Sequence, residues 1–332
     1  ILTLSYKDEI VGVGEASPLP GFHSETEADV RAELEAMSGA VSVGRQVHSA
    51  LFDPRTSSSL AFGLEMATAM MLASQKKQSL LSVIAMIGDL PCSGSATNVT
   101  INAVVPRTAN AIELAEQLLN AGYRVIKFKV GGRPVEDDIR DVNRLCQLAG
   151  QQSARVRLDA NRSWSLTDAE AFAAGLLKPE VIEYIEEPVQ SISDIAAFHE
   201  ATNIAFALDE SLDSDDGNWR DLSCADGLAA YVVKPTMLRG VANTMRFCRQ
   251  GDPNARIVVS STFESGVGLC YLTLFASLLG PDTAHGLGTF EMMSADILQP
   301  PFSAMVKRTE ISVTDCLDSL ERYRLKVATS ST

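Results

Sequence analysis

RVIKFKV (124–130), RVRLDAN (155–161), IEYIEEP (182–188), IAFALDE (204–210) and GLAAYVVKP (227–235) are short apolar runs that end in charged or polar residues. Their β-branched and aromatic content marks them as strands. Stretches with helical spacing of apolar residues, 135–149 and 167–177, fill gaps between them. Outward from this block, TNVTINAVV (97–105) and a helix over 108–121 come before it. RIVVSST (256–262), a helix over 266–279 and AHGLGT (284–289) come after it. Eight strands spaced roughly 20–30 residues apart predict parallel βα units. Eight such units close an α/β, TIM-type (β/α) barrel, here over 96–290. No GxGxxG follows the first strand, which argues against a doubly wound dinucleotide-binding sheet.

Residues 1–95 read differently, as an α+β capping domain. ILTLSYKDEIVGVGEA (1–16) alternates like a hairpin with a turn near Asp8. SPLPGFHSET (17–26) is a loop rich in Pro, Gly and Ser, and helical stretches follow over about 26–42 and 59–87. The segment 291–332 is expected to return to this domain.

The chain has 332 residues, 46% of them hydrophobic and 21% charged, a globular composition with enough length to bury a large core. Its formal net charge of -14 argues against nucleic acid and anionic membrane surfaces as partners. A small carboxylate substrate remains compatible, because one cleft can be cationic within an acidic protein. No apolar run reaches the roughly 18 residues of a membrane span. Cys92, Cys146, Cys224, Cys248, Cys270 and Cys316 form no CxxC pair, and most lie in apolar helical stretches. They read as free buried thiols of a soluble protein in a reducing compartment.

Function in a TIM-type barrel collects at the C-terminal strand ends. Those ends offer Lys127 and Lys129, then Asp159 and Asn161, Glu186 and Glu187, Asp209 and Glu210, Lys234, and finally Ser260, Ser261 and Thr262. Three consecutive strands ending in carboxylates would repel unless a cation lay among them. Oxygen donors alone select Mg²⁺, with Mn²⁺ the alternative. Lys127 and Lys129 share one face of their strand, since side chains repeat every second residue. A lysine crowded by a metal and a second ammonium gives up its proton more readily, which suits a general base.

KFK, LDAN, EEP, LDES and KP on successive strands resemble the muconate-lactonizing branch of the enolase superfamily. Within that branch, GEASPLPGFHSET (14–26) and SSTFESGVGL (260–269) are most similar to the o-succinylbenzoate synthase family, and IEYIEEPVQ (182–190), FHE (198–200) and ALDESLD (207–213) resemble its plant and algal versions fused into multidomain proteins. The resemblance implies that Asp159, Glu186 and Asp209 bind Mg²⁺ and that Lys129 and Lys234 are the acid/base pair. It places Lys127, Asn161, Ser260, Ser261, Phe22 and Gly266 around the substrate, with the amides of Gly266 and Gly268 open to an anion. It implies a capping strand before Ile1, so that the capping domain read here is N-terminally incomplete. It also implies a plastid location for a plant or algal chain and a cytoplasmic one otherwise.

The implied reaction is loss of water from a succinyl hydroxycyclohexadiene carboxylate. Lys129 would remove the α-proton and return it to the departing hydroxyl, while Lys234 stabilises the enolate. An N-acylamino acid racemase or dipeptide epimerase of the same branch is the nearest rival. A non-catalytic barrel inside a larger fusion is a rival of another class. Arg155 and Arg157 are expected to pair with acidic helix residues, Trp164 to pack in the loop after its strand, and His23 to be solvated.

Overall fold

The computed structural model describes residues 1–6, 9–38, 53–213, 219–222 and 225–330. The expected turn near Asp8, the end of the helix over 26–42, and Cys224 lie outside them. The strands are β1 (Leu2–Tyr6), β2 (Glu9–Gly14), β3 (Asn98–Thr100), β4 (Ala103–Val105), β5 (Val125–Lys129), β6 (Arg155–Asp159), β7 (Ile182–Glu186), β8 (Phe206–Leu208), β9 (Leu228–Val233), β10 (Arg256–Val259), β11 (Val306–Lys307) and β12 (Glu310–Ser312). The chain forms two compact units. One holds 1–100, 234–247 and 259–332; the other holds 101–233 and 248–258. The fold is α/β, a TIM-type (β/α) barrel with an α+β capping domain.

In the first unit β1 and β2 form an antiparallel hairpin. The helix Ser58–Lys76 lies against β2 so closely that a Cβ on Gly12 or Gly14 would strike the carbonyl of Ala67 or Gly63. The glycines of VGVG therefore serve backbone approach, which no side chain permits. Leu2, Val30, Leu60, Leu64 and Ala67 bury together behind them. The Leu and Val side chains each contribute roughly 1.5–3 kcal/mol on leaving water.

The stretch expected as one helix over 59–87 is two, Ser58–Lys76 and Leu80–Gly88. Lys77 turns into the left-handed region (φ 51), and Ser79 starts the second helix by accepting the Ser82 N–H. In the same unit β3, β12 and β11 form a three-stranded antiparallel sheet, followed by the helix Val313–Ser330.

In the second unit β10, β9, β8, β7, β6, β5 and β4 lie side by side in that order, and the pairs from β4 to β9 are parallel. The alternating inward residues Tyr184, Ala207, Ala230, Val232 and Val258 pack together. The run read as one strand over 97–105 divides. Residues 98–100 pair with β12 and residues 103–105 with β5. AHGLGT is reduced to a single parallel bridge, Gly286 to Ser260, within the first unit, where His285 N–H also donates to the Thr100 carbonyl at 2.9 Å.

Trp164 is buried and stacks on Phe172 with ring centroids 4.5 Å apart. Arg157 pairs with a strand residue rather than a helix residue, placing Nε 2.6 Å from Glu183 Oε2. Arg155 donates to the Glu180 carbonyl. Cys146, Cys248, Cys270 and Cys316 are free and buried, whereas Cys92 is exposed. No helix among the described residues is long and apolar enough to cross a membrane.

Candidate active site

Register builds the site. Lys129 on β5 lies opposite Asp159 on β6, Asp159 opposite Glu186 on β7, and Glu186 opposite Ala207 on β8. Residues opposite one another in a sheet point to the same face, so Lys129, Asp159 and Glu186 form one row. Lys127, two residues before Lys129, joins that face. Asp209, two residues after Ala207, follows the end of β8.

The row is an interlocked charge cluster. Lys127 Nζ bridges Asp159 Oδ2 at 2.8 Å and Glu186 Oε1 at 2.6 Å. Lys129 Nζ donates to Asp159 Oδ2 at 2.6 Å and to Asn161 Oδ1 at 2.8 Å. Asn161 then donates through Nδ2 to Glu210 Oε1 at 2.7 Å. Asn161 and Arg162 both carry positive φ, 44° and 57°, and turn the chain sharply out of β6. Such backbone needs firm support from its surroundings.

Burial and charge set the protonation states. Asp159 is lowered to about 2: burial opposes its charge, but the ammonium groups of Lys127 and Lys129 prevail. Glu186 goes the other way, pushed well up by burial and by the Asp159 and Asp209 carboxylates against the single pull of Lys127; it also hydrogen-bonds Asp209. The opposite directions follow from neighbours, two ammoniums for Asp159 and two carboxylates with one ammonium for Glu186. Lys127 is mostly withdrawn from solvent, which disfavours its charge, yet Glu186, Asp159 and Asp209 hold its proton well beyond the ordinary lysine range. Lys127 is therefore a fixed cation rather than a proton acceptor.

Among the described residues no three His, Cys, Asp or Glu side chains are grouped closely enough to hold a metal ion. In the cluster the Lys127 ammonium spans Asp159 and Glu186. The donor set nonetheless fits a hard divalent cation. It is all oxygen, it is buried, and it brings three interacting carboxylates against two ammoniums.

The other residues singled out from the sequence belong to the first unit. Lys234 directly follows β9 and is buried; its carbonyl accepts the N–H groups of Met237 and Leu238. Phe22 is exposed. His23 is half-buried rather than solvated, and its Nδ1 accepts the Leu19 N–H at 3.1 Å. Ser261 Oγ donates to the Gly286 carbonyl and meets Thr289 Oγ1, and Ser260 bridges Gly286 through the backbone. The expected open anion site at the helix beginning at Gly266 is corrected. Gly266 N–H donates to Asp296 Oδ1 and Gly268 N–H to Glu15 Oε2, so carboxylates of the chain itself take both amides.

Sequence reading named Glu187 at its strand end without a role and passed over Arg162 and Ser211; the structure ties the three together behind the row. The family resemblance gave the signal for Glu186 over Glu187. Nothing in the sequence signalled what Glu187 holds.

A family model described as "Enolase C-terminal domain-like" matches residues 110–306. The chain is 32% identical to an o-succinylbenzoate synthase of Yersinia pseudotuberculosis, over 90% of this chain and 85% of that one. It is 30% identical, over 92% of its length, to Protein PHYLLO, chloroplastic, of Arabidopsis thaliana, of which it spans 20%. Solved structures of a dipeptide epimerase from Enterococcus faecalis (16% identity, 92% of this chain and 90% of that one, TM-score 0.73) and a muconate lactonizing enzyme from Klebsiella pneumoniae (17%, 91% and 85%, 0.71) share the fold. A superfamily model matched over residues 110–306, and a relative 32% identical over 85% of its own length, establish that the chain is an enzyme of the enolase superfamily and belongs to its o-succinylbenzoate synthase family.

Proposed function

We propose that the chain is a Mg²⁺-dependent o-succinylbenzoate synthase, converting 2-succinyl-6-hydroxy-2,4-cyclohexadiene-1-carboxylate to 2-succinylbenzoate by syn loss of water on the route to menaquinone or phylloquinone. The observation that carries this reading is Lys129 Nζ, held by Asp159 and Asn161 in register with Glu186. Identity to relatives named o-succinylbenzoate synthase supports the substrate. We assign 1–95 and 291–332 to the capping domain and 96–290 to the barrel.

Members of this superfamily generally use Mg²⁺, and Asp159, Glu186 and Asp209 would hold it. When bound, the ion supplies charge stabilisation to the substrate carboxylate as the adjacent carbon loses its proton. Lys129, as general base, takes the α-proton, and the C–H electrons become enolate density. As the C–O bond breaks, those electrons close the aromatic ring, and Lys129 returns the proton to the departing hydroxyl, which leaves as water. Lys127, locked by its carboxylates, keeps a positive charge beside the substrate carboxylate. Lys234 stays an ammonium and stabilises the developing anion. Asn161 orients Lys129.

The test is a direct assay. The purified chain with Mg²⁺ is offered the cyclohexadiene carboxylate, and 2-succinylbenzoate is followed by its absorbance. N-Succinylamino acids are offered in parallel and racemisation is followed by polarimetry. Racemisation without dehydration overturns the assignment; inertness towards both substrates with Mg²⁺ bound makes the domain non-catalytic.

A further inference from the structure

We infer that Glu187 is the positioning residue that sets the spacing of the metal-binding strand ends, an inference that rests on the metal assignment above. Glu187 follows Glu186 directly, yet it does not face the row. Its φ of 45° lies in the left-handed region and turns the side chain away. The carboxylate is fully buried, and both oxygens are filled by donors from neighbouring strand ends. Oε1 accepts the backbone N–H of Asp209 at 2.8 Å and of Ser211 at 2.7 Å. Oε2 accepts the Ser211 hydroxyl at 2.8 Å and Arg162 Nε at 2.9 Å.

The backbone of Glu187 extends the same web. Its N–H donates to the Ala207 carbonyl at the end of β8, and its carbonyl accepts the Arg162 N–H from the loop after β6. One residue therefore touches the exits of β6, β7 and β8, the strands that carry Asp159, Glu186 and Asp209. Asp209 lies just past β8, where the sheet ladder no longer holds its amide; Glu187 holds it instead. A carboxylate with four donors has no lone pair left for a cation, so Glu187 acts on the site through Asp209 and Arg162. Outer partners of this kind orient ligands, and their loss typically costs about 10–100-fold in metal affinity.

Glu187→Gln is the probing change. An amide offers one acceptor oxygen where the carboxylate offers two, and its NH₂ faces the donors of Asp209, Ser211 and Arg162. Ser211→Ala, which removes a single donor, is the milder partner should Glu187→Gln fold poorly. Mn²⁺ serves as the probe, its binding measured by electron paramagnetic resonance on substrate-free protein, with Mg²⁺ titrated by calorimetry beside it. Thermal unfolding is recorded on the same samples. The expected result is Mn²⁺ binding weakened about 10–100-fold in Glu187→Gln, a smaller shift in Ser211→Ala, and turnover regained at high Mg²⁺.

Variants that unfold at lower temperature but bind Mn²⁺ like the parent overturn the inference, since the web would then be support alone. A parent chain that binds no divalent ion overturns the metal assignment and the inference with it.

Discussion

Lys129 Nζ and Asp159 Oδ2 lie 2.6 Å apart across the β5–β6 pair, where the two residues are direct register partners. The sheet, not a loop, therefore fixes the distance between the proposed base and a proposed metal ligand. Groups on strands are held more tightly than groups on loops, and general acid–base catalysis depends on that geometry.

Lys129→Ala should leave a folded protein whose turnover falls by at least about 10²–10⁴-fold. Lys129→Arg should fare little better, because guanidinium does not give up its proton. Lys234→Ala should also abolish turnover while leaving the fold intact. Circular dichroism checks the fold and the dehydration assay checks the rate. Near-normal turnover in the Lys129 variant would remove it from the proton-transfer step.

Chelation should silence the enzyme reversibly. The three proposed ligands offer oxygen only, so Mg²⁺ or Mn²⁺ should restore turnover after EDTA treatment. Metal binding should also raise the unfolding temperature, because an ion that binds only the folded chain stabilises it by mass action. Full activity in excess EDTA would contradict the assignment of Asp159, Glu186 and Asp209.

The row Lys129, Asp159, Glu186 was legible because strand alternation and strand ends are written in the sequence. KFK, LDAN and EEP each carry their polar residue at the C-terminal edge of an apolar run. The split of 97–105 was not legible. Residues on both sides of Ile101 have strand composition, and only pairing partners more than two hundred residues away for β3 decide that it joins β12. The Gly266 amides were misread for a similar reason. A helix start reads as an open anion site until Asp296 and Glu15, distant in sequence, are brought onto it. Lys77 and Ser79 show the opposite case. The polar stretch KKQS held a helix stop and a Ser cap that apolar periodicity alone passed over.

Glu183→Ala should destabilise the protein by about 3–5 kcal/mol while sparing catalysis. Its carboxylate takes Arg157 on one oxygen and Arg256 on the other, and Arg157 is almost wholly buried over the Tyr184 ring. Removing Glu183 leaves that guanidinium buried without its carboxylate. Glu183 and Arg256 stand in the first half of their strands, before the C-terminal ends that carry Asp159 and Glu186. Urea unfolding should show the loss, and kcat of the folded enzyme should be close to that of the parent. A loss below about 1 kcal/mol would mean that water replaces Glu183 without strain.

Glu65 should make stability fall with rising pH. It is buried in the helix Ser58–Lys76 and accepts the N–H groups of Val241 and Ala242 at 2.6 Å and 3.0 Å, capping the helix Val241–Cys248. Burial raises its carboxyl from 4.5 to about 7, against those bonds and one from Tyr271. Tyr271 is itself pushed far up by burial and does not titrate nearby. The folded chain thus keeps the Glu65 proton to a higher pH than the unfolded chain does. Between pH 4.5 and 7 it binds more protons, so stability falls across that window and levels off above it. The full change is about 3 kcal/mol at 1.36 kcal/mol per unit of pKa. Glu65→Gln has no proton to lose at this position. The stability of the parent relative to Glu65→Gln should therefore drop by about that amount between pH 4.5 and pH 8, read from urea unfolding at each pH. A difference that stays flat with pH would show that Glu65 is ionised throughout and that its two amide bonds offset its burial.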